Sequence, residues 1–162
     1  MTTGTRGSPS KLLLRDVREE DLPVFFEHQR DHDANEMAAF PARDRDAHMA
    51  HWARILADET VAKKTIVSDD EVAGNIVGWI QDGRREIGYW VGKAHWGRGI
   101  ATEAVRQFLV DVSERPLYAS VAKHNLGSIR VLQKCGFAIR SEPGAAPTPA
   151  DGIEEVLLEL RS

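Results

Sequence analysis

Cysteine is almost missing from this chain. Cys135 is the only one, which excludes an internal disulfide framework and any metal site built on several cysteines. No apolar run approaches the length a bilayer-spanning helix needs, and the opening residues lack the hydrophobic stretch of a signal peptide. Positive charge is not in excess either: 21 Lys and Arg stand against 25 Asp and Glu, for a net charge of -4 and a pI near 5.9. That balance argues against a general nucleic-acid surface and leaves cationic partners tolerable. Internal repeats and a Walker loop (Gly, four residues, Gly-Lys-Ser/Thr) are absent too. The expectation is a cytoplasmic protein with neither a nucleic-acid nor a membrane partner.

What is present fits one domain. A chain of 162 residues, 42% hydrophobic and 28% charged, can bury a genuine core. Residues 1–10 are rich in Gly, Ser and Thr and read as a loose tail, which leaves residues 11–162 as the domain. Residues 11–15 read as an edge strand. Asp16, followed by acidic residues, reads as the cap of a first helix running to about Arg30. Residues 31–46 form a polar connection broken by Pro41, and residues 47–56 restore a helical pattern. The β-branched runs 65–68 and 72–80, separated by Ser68-Asp69-Asp70-Glu71, read as a hairpin that continues through Asp82-Gly83 into a strand at Glu86.

The chain is organised around residues 86–103, Glu-Ile-Gly-Tyr-Trp-Val-Gly-Lys-Ala-His-Trp-Gly-Arg-Gly-Ile-Ala-Thr-Glu. A strand (86–91) leads through a Gly-rich loop into a helix whose apolar residues Ile100, Ala104, Val105, Phe108, Leu109 and Val112 recur at helical spacing. A helix N-terminus has unpaired N–H groups and about half a positive charge, so it suits phosphate. Gly97 and Gly99 allow positive φ and close approach of an anion to the amides, and Arg98 adds a cation; an ordinary strand-to-helix turn uses the same residues. A dinucleotide loop would need a small residue where Thr102 stands and an acidic residue near residues 121–123, and has neither. Residues 117–121 then read as a fifth strand. Coming after a helix, it should lie parallel to the Glu86 strand in a β-α-β unit. A helix at Asn125, a strand at Phe137, a Pro/Gly loop (142–152) and a last strand (153–160) complete an α+β sheet.

At this junction the sequence resembles the GNAT superfamily of acetyl-CoA-dependent N-acetyltransferases, whose signature is Gln/Arg-x-x-Gly-x-Gly/Ala. Trp96-Gly-Arg-Gly99-Ile-Ala101 matches it except at the first position. Trp there, with Ile-Gly-Tyr-Trp before and Ala-Thr-Glu-Ala after, looks like the ribosomal-protein-acetyltransferase (Rim-type) branch. A second block, Asn125-Leu-Gly-Ser128 through Lys134-Cys-Gly136-Phe137, resembles the family's Asn-x-x-Ser/Ala-x-x-x-x-x-Lys-x-Gly-Phe element. The resemblance implies a GNAT fold. That is a mixed, mostly antiparallel twisted sheet of about seven strands, flanked by about four helices and splayed between the fourth and fifth strands.

The resemblance also implies a site. Acetyl-CoA would enter the gap, with backbone near Tyr89, Trp90 and Val91 on the pantetheine and the loop from Trp96 through Gly97, Arg98, Gly99, Ile100, Ala101 and Thr102 on the pyrophosphate. Asn125 would bond the pantetheine, and it fits a helix N-cap as well. Arg98, Lys123, Arg130 and Lys134 are candidate phosphate partners. Acyl transfer at neutral pH needs a base, since a lysine amine titrates near ~10.4. Glu86 is the first candidate, on one strand face with Gly88 and Trp90; a strand-edge surface carboxylate would look the same. The polar connection (Asp31, Asp33, Glu36, Asp44, Asp46) with His32 is the reserve. In the family that connection lines the acceptor side, so His32, Glu36 and Trp79 are candidate acceptor-binding residues. Many members place an acidic Tyr where Leu132 stands here, and Ser128 takes its role as hydrogen-bond donor to the leaving thiolate. His95 and His124 flank the loops without a second ligand at metal spacing, so no metal is expected. Cys135, before Gly-Phe at a helix end, reads as a packed small residue rather than a nucleophile. Two functions follow: acetyl transfer from acetyl-CoA to a primary amine (a protein N-terminus or small amine), or an acyl-CoA-binding module without turnover. Dimers are common in the family, but the sequence identifies no interface.

Overall fold

The computed structural model describes residues 11–38, 43–140 and 155–161. The expected tail (1–10), Pro41, the Pro/Gly loop (142–152) and the first two residues of the expected last strand lie outside the described residues. The strands are β1 (Leu12–Asp16), β2 (Ala62–Ser68), β3 (Glu71–Gln81), β4 (Arg84–Val91), β5 (Leu117–Ala122), β6 (Ala138–Ile139) and β7 (Glu155–Leu160). The helices are α1 (Leu22–Gln29), α2 (His32–Ala38), α3 (Arg45–Ala57), α4 (Ile100–Asp111) and α5 (Leu126–Lys134). Short 3-10 turns lie at Glu19–Asp21 and Lys93–His95.

One sheet runs in the order β1-β2-β3-β4-β5-β7-β6. Every neighbouring pair is antiparallel except β4 and β5, which the intervening helix α4 makes parallel, as a β-α-β crossover requires. The hairpins turn on Asp69-Asp70 and Asp82-Gly83, all at positive φ (50°, 69°, 51° and 78°), the conformation that matches strand twist. The parallel pair is short: its rungs are Arg85 to Leu117 and Glu86 to Tyr118, and there the two strands part. The fourth and fifth strands therefore splay, as the family pattern implies.

Strand alternation sorts the side chains onto two faces. Ile76 and Ile87 turn toward α4 and α5, joining Ile100, Ala104, Val105, Phe108, Leu117, Leu132 and Leu158 in the main core. Val77 turns the other way, toward a second cluster of Leu22, Phe25 and Trp52 from α1 and α3, where the Phe25 and Trp52 rings lie 4.9 Å apart. Burying Phe108 and Trp52 is worth roughly 2–3 kcal/mol each in area terms.

Two expectations about the first third are corrected. Asp16 caps no helix: it closes β1, pairing opposite Lys64 and holding its Nζ at 2.9 Å. The buried carboxylate ahead of α1 is Asp21, 1% exposed, whose side chain makes no cap bond to α1 and instead closes the preceding 3-10 turn, accepting from both Arg15 Nη atoms (2.8 Å each), the Arg18 amide (2.9 Å) and Thr65 Oγ1 (2.7 Å). Burial pushes its carboxyl up, but these donors outweigh burial and hold it below the ordinary carboxylate value. The polar connection is not a plain loop either, because seven of its residues fold as α2, capped by Asp31 Oδ2 on the Ala34 amide at 2.8 Å.

Candidate active site

Strand β4 delivers its chain into the gap where pairing with β5 has stopped. After Gly92 and the 3-10 turn, Gly97 (φ 80°) and Gly99 (φ 72°) take left-handed backbone, and α4 starts at Ile100 with no side chain capping it. A Cβ at either glycine would meet nothing within 4 Å, so the space over the first-turn amides is open. Those amides and the helix dipole form an anion cradle. The helix is anchored there by its apolar stripe, Ile100, Ala104, Val105 and Phe108, all buried.

The opposite wall is the start of α5. Asn125 is its N-cap, its Oδ1 accepting from the Ser128 amide at 3.2 Å, which leaves its NH2 group for another partner. Leu132, one turn beyond Ser128, is fully buried in the main core, so the position where the resemblance implies a tyrosine holds a packing residue here.

Between the walls lies a cavity of about 360 Å³. Its lining includes the predicted Tyr89, Trp90, Val91, Trp96, Gly97, Gly99, Ile100, Ala101, Thr102, Asn125 and Ser128. It also includes Ala34, Met37, His95, Gly127 and Val131, which the sequence reading did not select. The cradle, the strand edge and the Asn125 amide suit a ligand with a diphosphate and an amide-bearing arm, the chemistry of coenzyme A. Arg98, Arg130 and Lys134 lie outside the wall, exposed and without an ion pair among the described residues. Trp96 fills the first signature position and donates its Nε1–H to the Val91 carbonyl at 2.9 Å.

Tyr89 reaches across the gap. Its hydroxyl lies 2.5 Å from Ser128 Oγ and 3.3 Å from the Ser128 carbonyl, and burial pushes the phenol up to about 12. The sequence reading named Tyr89 only for its backbone; its alternation with Ile87 and Val91 was the available signal for the side chain.

On the other face of β4 stand Glu86 and Trp90. Glu86 is 9% exposed and has no hydrogen bond or ion pair among the described residues. Burial raises its carboxyl above the ordinary range, Arg84 opposes this, and Glu155 and Asp82 add to it. Trp79 is its cross-strand partner, and the Trp79 ring covers Gly88. Neither Glu86 nor Trp79 lines the cavity itself. Trp90 Nε1 donates to the His28 carbonyl at 3.3 Å, and the His28 and His95 rings meet edge-on at 6.4 Å. Burial, then the neighbouring His95, pushes His28 down to about 4.

Helix α2 lies at the mouth. Its Ala34 and Met37 line the cavity, Asp33 pairs with Lys93 beyond β4, and the Glu36 carbonyl is 2.8 Å from Nε2 of His124 beyond β5. Glu36 is exposed, and the side chain of His32 lies outside the described residues. His124, read as a plain loop histidine, thus ties α2 to the far wall.

Residues 11–138 match the acetyltransferase (GNAT) domain family. A 56-residue stretch, 32% of this chain, is 52% identical to the probable N-acetyltransferase YjcK of Bacillus subtilis, and it spans 30% of that protein. The uncharacterized N-acetyltransferase p20 of Bacillus licheniformis is 28% identical over 141 residues, 78% of this chain and 79% of that one. The fold superposes on RimL, a ribosomal L7/L12 alpha-N-protein acetyltransferase solved with coenzyme A, at a TM-score of 0.76 and 16% identity, covering 91% of this chain and 92% of that one. With the family match spanning most of the domain and the splayed sheet, glycine cradle and capped α5 in place, this chain belongs to the GNAT family of acetyltransferases.

Proposed function

We propose that this protein transfers an acetyl group from acetyl-CoA directly to a primary amine, a protein N-terminus or a small cationic amine, in the cytoplasm and through a ternary complex without metal. The observation that carries the reading is the cavity at the splay, with an uncapped α4 N-terminus at one end and the Ser128 hydroxyl at the other. Acetyl-CoA bound there would supply an activated thioester carbonyl.

The chain's own residues would do the rest. Amides of residues 97–102 hold the phosphates, and Asn125 orients the arm with its free NH2 group. Glu86, raised toward neutrality by burial, takes a proton from the acceptor ammonium through water, since it stands on the Trp90 face beyond the cavity wall. Ser128 donates a hydrogen bond where charge develops on sulfur. Trp96 at the first loop position and Ser128 on α5 favour the Rim-type branch.

Calorimetry with acetyl-CoA tests the site, comparing wild type with Gly99→Val, which fills the cradle and strains a φ of 72°. Saturable wild-type binding, weakened at least tenfold in a folded variant, is expected, followed by thiol release with members of an amine panel. Binding without thiol release across that panel would favour the acyl-CoA-binding module. No binding by folded wild type would overturn the reading.

A further inference from the structure

Tyr89 and Ser128 lie 39 residues apart and on opposite walls of the cavity, yet their hydroxyls meet at 2.5 Å. This contact spans the gap left where β4 and β5 stop pairing. We infer that Tyr89 is a positioning residue for acetyl transfer: its phenol holds the Ser128 hydroxyl so that the serine O–H points into the cavity, toward the leaving sulfur. The inference rests on the function proposed above and assigns a role to a side chain which that reading does not use.

The phenol reaches two acceptors, Ser128 Oγ at 2.5 Å and the Ser128 carbonyl at 3.3 Å, and Oγ is the nearer. A phenol is a far stronger acid than an alcohol, so in the arrangement we infer the phenol O–H donates and the serine oxygen accepts. The Ser128 proton is then free for a third partner, and Ser128 lines the cavity. Without Tyr89, a first-turn serine would turn its hydroxyl back on a neighbouring backbone carbonyl. Asn125 already fixes the Ser128 backbone through its amide, so the remaining freedom is rotation of the hydroxyl. Tyr89 removes that freedom. A donor that also accepts from a second donor is polarised by it, which strengthens its outgoing bond.

In the reaction, the acceptor ammonium gives one proton to Glu86 through water, the freed amine nitrogen forms the C–N bond, and as the C–S bond breaks the electron pair leaves on sulfur and the nitrogen's second proton passes to solvent. The Ser128 O–H stabilises the thiolate by a hydrogen bond and keeps its proton. Tyr89, held neutral by burial, keeps its own as well, and solvent protonates the thiolate after release.

The test compares binding of coenzyme A with that of desulfo-coenzyme A by calorimetry at pH 7 and pH 9.5, on wild type, Tyr89→Phe, Ser128→Ala and the double variant. Wild type should prefer the thiol form more strongly at pH 9.5, where it is largely thiolate. Tyr89→Phe should lose that extra preference, about tenfold, with affinity for desulfo-coenzyme A unchanged, and the double variant should match Ser128→Ala. In turnover, Tyr89→Phe should lower kcat by about tenfold and leave KM for acetyl-CoA within about twofold. A fluorotyrosine at position 89 keeps the shape and strengthens the donor, so it should raise the preference. Wild-type preference in folded Tyr89→Phe, or losses in the two single variants that multiply in the double, would overturn the inference. Failure of wild type to bind either form would instead overturn the proposed function.

Discussion

Glu86 is nine-tenths buried on β4 with a carboxyl raised above its ordinary value, burial being the main cause. A carboxyl whose folded pKa exceeds its unfolded one binds its proton more tightly in the folded state. It therefore costs stability as pH rises through the window between the two values, and the cost is complete above the folded one. Glu86→Gln should accordingly raise the urea midpoint at pH 7 and leave it unchanged near pH 3. The same variant should lower turnover about 100-fold at pH 7 and less at pH 9, where more acceptor is already deprotonated. Equal losses at both pH values would remove Glu86 as the base. Residues of this kind were legible when they belonged to local patterns. Gly97, Gly99, Asn125 and Ser128 sit in two short blocks, and all four line the cavity. The Tyr89 hydroxyl and the half-buried His95 beside His28 depend on partners far away in sequence, so no window of the chain displays them.

Among the elements, α4 was readable because its four buried apolar residues, Ile100, Ala104, Val105 and Phe108, repeat at helical spacing. Helix α2 was hidden. Its two cavity-lining residues, Ala34 and Met37, are set among His32, Asp33, Asn35 and Glu36, and seven residues are too few for a period to emerge. The start of α1 was misread because acidic residues after β1 look like a first helical turn, whereas Asp21 is drawn inward by Arg15 and Thr65. The register of β3 on β4 carries its own requirement. A Cβ on Gly74 would stand 2.1 Å from the Trp90 carbonyl oxygen, a backbone atom that cannot swing aside. Gly74→Ala should therefore part the strands beside the cavity and destabilise the fold by about 1–3 kcal/mol, read from urea unfolding. Gly83→Ala serves as the comparison: it has open space and only a φ of 78° to bear.

At the scale of the whole molecule, the layer of α1 and α3 is sensitive to acid. Burial is the main cause that holds His28 and His51 down to about 4 and His48 below its ordinary value. His48, 2% exposed, donates Nε2–H to the Leu22 carbonyl at 2.9 Å, tying α3 to the start of α1. A histidine whose pKa is depressed on folding adds stability above its unfolded value, and that stability drains as pH falls from about 6.5 toward 4. The urea midpoint should therefore drop between pH 7 and pH 5. His28→Phe should flatten that drop, and an unchanged slope would place the acid sensitivity elsewhere. The global layout was the most legible level, since strand, glycine loop, helix and parallel strand admit few arrangements. The sheet also has a mechanical consequence. Its two leaves, β1 to β4 and β5 with β7 and β6, share a hinge of two rungs at Arg85 and Glu86, and α2 is the latch, fastened to Lys93 on one leaf and His124 on the other. Any spreading of the leaves must load that latch, so the width of the cavity and the seating of α2 form a single coordinate.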